Sequence, residues 1–133
     1  MTGTGFLILF GLNCVLVSCK GQVYPPYNGR TIVILPGSTA ILNWSFVGDP
    51  SKASLAWYFT KRGSSNEEEL AAKFRTMATI INNSSLPGVA VEPPATLVLK
   101  NVDERYNGKY QFGVQIAGGG GKAEVDVFIA GKF

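Results

Sequence analysis

Between Thr39 and Phe46 apolar and polar side chains alternate, with Ala40, Leu42, Trp44 and Phe46 on one face and Ile41, Asn43 and Ser45 on the other. Successive side chains of an extended strand point to opposite sides, so a period of two predicts a strand with one buried face. The pattern returns over Ser54–Thr60, where Leu55, Trp57 and Phe59 oppose Ala56, Tyr58 and Thr60. From Leu97 to Val114 it occurs twice around a corner: Leu97, Leu99 and Val102 precede the turn residues Asn107-Gly108, and Tyr110, Phe112 and Val114 follow. A last run covers Ala123–Ala130, with Val125, Val127 and Ile129 against Glu124, Asp126 and Phe128.

Shorter segments fill the intervals. Thr31–Leu35 is rich in β-branched residues and stops at Pro36-Gly37, which predicts an edge strand. Thr76–Ile81 is β-prone, and Val89–Glu92 is a short strand cut off by Pro93-Pro94. Glu67–Phe74 reads as a short strand or as one or two helical turns, because Glu67-Glu68-Glu69-Leu70-Ala71-Ala72-Lys73 consists of good helix formers; the strand is preferred. Gly118–Gly121, between two strands, predicts a hairpin tip with a bulge, and not a phosphate loop, since no helix and no Lys-Ser/Thr pair follow. About nine short strands with turns between them make an all-β sandwich.

The 133 residues hold one domain and a targeting segment. Phe6–Val17 is an apolar run too short to span a bilayer, followed by the small residues Ser18-Cys19-Lys20-Gly21, so residues 1–20 read as a secretory signal peptide. Residues 21–30 read as an extended leader and 31–131 as the domain. Cys14 and Cys19 both fall within the signal segment, which leaves the mature domain without a disulfide despite export. The formal charge of +3 is scattered, not gathered in a stripe, and argues against a nucleic-acid partner. There is no histidine, and Asp103, Glu104, Glu124 and Asp126 have no apolar pocket to raise a carboxyl pKa. An enzyme is therefore not expected, nor is a cofactor or a bound metal.

With the strands placed, the chain resembles a variable-type (V-set) immunoglobulin domain over roughly Thr31 to Ala130. The resemblance rests on Ala40–Phe46 as strand B, Leu55–Phe59 as strand C with its core tryptophan at Trp57, and Leu97, Leu99 and Val102 as strand E. It continues with Asn107–Phe112 as a tyrosine corner leading into strand F, with Tyr110 the tyrosine, and Ala123–Ala130 as strand G. It implies a Greek-key sandwich with extra C′ and C″ strands. Trp44 and Phe112 stand where that family carries its two cysteines, Tyr106 replaces the acidic residue before the corner, and Leu86-Pro87-Gly88 lacks the arginine that would pair with it. Similar disulfide-free domains form the outermost unit of carcinoembryonic-antigen-type adhesion molecules and of the allorecognition receptors of colonial hydroids, the second being the preferred likeness.

The resemblance implies a membrane-distal receptor domain for homophilic or family-restricted recognition between cells, extracellular, and attached to a membrane through a segment not present in this chain. The alternative is a secreted soluble binder of a glycan, a small ligand or a foreign surface. The expected binding face is the outward side of strands G, F, C and C′: Tyr58, Thr60, Gln111, Gly113, Gln115 and Phe128. Read plainly, these are solvated positions of an ordinary sheet, although an exposed Phe128 calls for a cover. Lys61-Arg62 and Glu67-Glu68-Glu69 flank one expected loop and would be self-complementary across a two-fold contact, or would simply be solvated. N-x-Ser sequons mark Asn43, Asn82 and Asn83 for glycosylation.

Overall fold

The computed structural model of the chain describes residues 21–26 and 31–131; the expected signal peptide and residues 27–30 of the leader lie outside the described residues. Eleven strands are present among them: β1 Val23–Tyr24, β2 Thr31–Ile34, β3 Ala40–Asn43, β4 Ser45–Phe46, β5 Ser54–Lys61, β6 Glu67–Phe74, β7 Ile80–Ile81, β8 Val89–Glu92, β9 Thr96–Leu99, β10 Gly108–Ile116 and β11 Gly119–Ile129. The long central pair β5 and β10 lies in a six-stranded sheet of order β2-β11-β10-β5-β6-β7, opposed by a three-stranded sheet β3-β9-β8 and a small pair β1-β4. All pairings are antiparallel except β2 with β11. The result is an all-β, sandwich-like arrangement whose inward rows share one core.

Phe112 is the centre of that core. Trp57, Trp44 and Phe46 surround it with ring centroids 5.1, 5.9 and 5.9 Å away. These separations suit tilted aromatic pairs, which gain on top of area burial. Trp44 also crosses the sandwich, its indole N–H donating to the Ala123 carbonyl of β11 at 3.1 Å. Leu97 and Leu99 of β9 and Phe59 and Tyr110 of the large sheet complete the layer, the last two rings 4.7 Å apart. Trp57 lies in the same layer, its own indole nitrogen without a hydrogen-bond partner.

The corner before β10 is tied by two tyrosines. The Tyr110 hydroxyl donates to the Tyr106 carbonyl at 2.7 Å, and the Tyr106 hydroxyl accepts the Gly88 N–H at 2.8 Å. Tyr106, which reads from sequence only as a missing acid, is thus a core residue that fastens the loop before β8 to the corner. Burial, and then the neighbouring Tyr106, push the Tyr110 phenol well above its usual range.

Glu67–Phe74 is the strand preferred from sequence: its edge pairs with β5, and tertiary pairing overrides a weak helix propensity. Other expectations need correction. Only Ile80–Ile81 of the β-prone segment 76–81 joins the sheet. The run 40–46 divides at Trp44, Ala40–Asn43 pairing with β9 and Ser45–Phe46 with β1, so the start of the leader is itself a strand. The glycine run is not a bulged tip. Pairing continues without a shift from Gly108 opposite Val127 to Ile116 opposite Gly119, leaving a two-residue turn at Ala117-Gly118. Close packing accounts for one of these glycines: a Cβ on Gly121 would lie 2.6 Å from the Gly21 carbonyl oxygen. The irregularity falls instead between β5 and β6 at Trp57/Tyr58, where consecutive Leu70 and Ala71 are both buried.

Candidate recognition face

Register places the outward residues of the six-stranded sheet in rows. Asp126, Lys109, Thr60 and Glu67 form one row across β11, β10, β5 and β6; Glu124, Gln111, Tyr58 and Glu69 form the next. Lys122, Gly113, Ala56 and Ala72 follow, with Ile80 of β7 beside Ala72, and then Gly120, Gln115, Ser54 and Phe74. The third row has almost no side chains over β10, β5 and β6. It forms the floor of an open trough of about 870 Å³, walled by Tyr58, Glu69 and Gln111 on one side and Phe74, Ser54 and Gln115 on the other. A solvated sheet face ordinarily carries long polar side chains at such positions, so the missing side chains give this face its relief.

Tyr58 is half-buried on the rim of this trough. Partial burial, then the carboxylates of Glu69 and Glu67, raise its phenol above the usual range, so the hydroxyl is a neutral donor. Glu69 is braced by Asn82, whose side-chain nitrogen donates to the Glu69 carbonyl and to its Oε1, each at 3.0 Å. Lys109 and Glu124 pair at 3.6 Å with both side chains about half exposed, a contact of little energetic weight.

Of the residues singled out from sequence, Tyr58, Thr60, Gln111, Gly113, Gln115, Glu67 and Glu69 share this face. Phe128 also points outward, but two rows beyond Glu124, roughly 13 Å along the strand from the Tyr58 row. The cover it calls for is partly supplied from within: the Arg62 guanidinium lies 5.5 Å from the Phe128 ring centroid and donates to the Val127 carbonyl at 3.4 Å. Lys61-Arg62 and the three glutamates do flank the β5–β6 loop, as expected, but not as a set of free charges. Arg62 is turned toward β11, the glutamates open strand β6, and Glu68 alternates to the other side, where it accepts from Ser85 Oγ at 2.8 Å. Asn43 is exposed on the outside of β3, its Oδ1 accepting the Thr96 hydroxyl at 2.5 Å. At Asn82 the nitrogen a glycan would take is committed to Glu69, whereas Asn83 is exposed.

Sequence reasoning missed Ala72, Phe74, Ile80 and Arg75 as members of this face. The adjacent apolar residues Leu70-Ala71, which break a period of two, were the available signal of the bulge that decides their orientation. No family model matches the chain, and no curated protein matches its sequence.

Proposed function

We propose that the chain is a V-type immunoglobulin-like Greek-key domain, exported to the cell surface, that recognises its own kind or close relatives on another cell through the outer face of the six-stranded sheet. The observation that carries this reading is the small-residue trough beside Tyr58: a relief built on the rigid centre of a sheet, suited to receiving a protein surface. The V-type assignment draws on the strand orders β2-β11-β10-β5-β6-β7 and β3-β9-β8 and on the tyrosine corner. In this reading Trp44 and Phe112 take the place of an inter-sheet disulfide, Trp44 spanning the sandwich by ring contact and by its bond to Ala123. Burial of two large aromatics contributes on the order of the 2–5 kcal/mol that a native disulfide supplies.

Weak contacts repeated over two apposed membranes supply the avidity. The test is a two-colour bead assay with the chain displayed at high density beside an unrelated domain of the same fold. Clumping confined to like beads, and lost on Tyr58→Asp, is the expected outcome. Failure to clump at every density removes homophilic recognition and leaves the soluble binder as the reading to pursue.

A further inference from the structure

Strand β6 is polarised along its length. Glu67 and Glu69 point outward at its start, and at its end Phe74 points outward with the Arg75 guanidinium 5.3 Å from its ring centroid. Glu67 pairs with Thr60 and Phe74 with Ser54, six residues apart on β5, so the two charges lie about 20 Å apart at the usual strand rise. Arg75 is held in place by its backbone, which takes a φ of 54° and donates its N–H to the Ala53 carbonyl at 2.8 Å.

We propose, resting on the homophilic reading above, that two copies of this chain dock face to face with strands antiparallel, about a two-fold axis that crosses the strands between the Tyr58 row and the Ala56 row. In a two-fold contact residue i meets j and j meets i, so such an axis exchanges the second row with the third and the first with the fourth. Tyr58 of each copy then enters the trough of the other, over Ala56. Glu67 meets the Phe74-Arg75 end of the other copy's β6. On β11, Glu124 meets Lys122.

Other placements bring like charges together. An axis along the Tyr58 row superposes Glu69 on Glu69 and Glu124 on Glu124. An axis along the trough superposes Lys122 on Lys122 and leaves two hollows facing each other. An axis parallel to the strands, between β10 and β5, places Glu67 over Asp126 and Glu69 over Glu124. Like charges directly opposed across a contact are disfavoured, and ridge-into-hollow packing buries more surface than hollow on hollow. Exposed Ile80, on the trough row at the sheet margin, lies close to the axis, where the other copy's Ile80 can cover it.

The experiment displays the full chain, secreted from eukaryotic cells, on beads of two colours, as wild type, Glu67→Arg and Arg75→Glu. Wild-type beads clump. Each reversal alone places like charges at both symmetric contacts and weakens self-association by about tenfold or more. The two variants mixed have opposite charges at both contacts, so Glu67→Arg beads clump with Arg75→Glu beads although neither clumps with itself. Wild-type clumping that persists unchanged in Glu67→Arg overturns the register while homophilic recognition stands. So does failure of the two reversals to co-clump when both melt at the wild-type temperature. Wild-type beads that never clump overturn the register together with homophilic recognition.

Discussion

The two faces of β5 and β10 come from the same residues of chain and obey opposite rules. Inward, Trp57, Phe59, Tyr110 and Phe112 are fully buried and touch one another ring to ring. Outward, one residue away in each case, stand Tyr58, Gln111, Gly113 and Ala56, with a trough where side chains would otherwise reach into water. The inner face is constrained by volume, since every atom there has a neighbour. The outer face is free of that constraint, and its relief is available for a partner. Substitutions should therefore separate cleanly, inner ones changing folding and outer ones changing recognition.

The largest effect is expected at Trp44. Trp44→Ala removes a ring from the Phe112 cluster and the bond to Ala123, and should cost about 3–5 kcal/mol in urea unfolding, a large share of the stability of a domain this size. Should Trp44→Ala unfold with wild-type midpoint, the sandwich does not depend on this cluster. Next is the corner: Tyr106→Phe leaves the Gly88 N–H without its acceptor and should cost about 1–3 kcal/mol by the same measurement.

Tyr110 predicts a pH dependence. Its phenol is pushed above the unfolded value of about 10, so the folded chain holds that proton more tightly than the unfolded chain does. The associated stability is fully present below pH about 10 and is lost as pH rises beyond it, because only the unfolded state then releases the proton. Alkaline melting curves should show a steep fall in Tm that Tyr110→Phe reduces, at the expense of the 2.7 Å bond to Tyr106. An unchanged alkaline slope in Tyr110→Phe would assign the fall to another group.

The smallest effect on stability is expected in the trough, and it sharpens the comparison most. A Cβ on Gly113 meets nothing closer than 3.9 Å, and its backbone is not left-handed, so Gly113→Leu should leave unfolding within about 0.5 kcal/mol of wild type. The same leucine fills the trough and should abolish bead clumping. Clumping that survives it would move recognition to another surface.

Much of this fold was legible in the alternation. The inward rows of β3, β5, β10 and β11 follow a period of two, and Trp44, Trp57, Tyr110 and Phe112 are visible as core from the sequence, because burial on one face leaves that period there; β9, buried on both faces, carries no such period. The outward identities of Tyr58, Gln111 and Gly113 follow from the same parity. What parity does not carry is pairing. The bulge opposite Trp57/Tyr58 turns Ala72 and Phe74 to the outer face, and β7 adds Ile80 to it, so the trough exists only once β6 is set against β5. Arg62 leaves its own loop for Phe128, 66 positions later, and Tyr106 binds the backbone of Gly88, 18 positions earlier. Alternation is a local consequence of strand geometry and survives in the chain. Register, bulges and long-range polar contacts are settled by which strands meet, and the energy that chooses among those meetings is realised only when both sheets close over the Phe112 cluster.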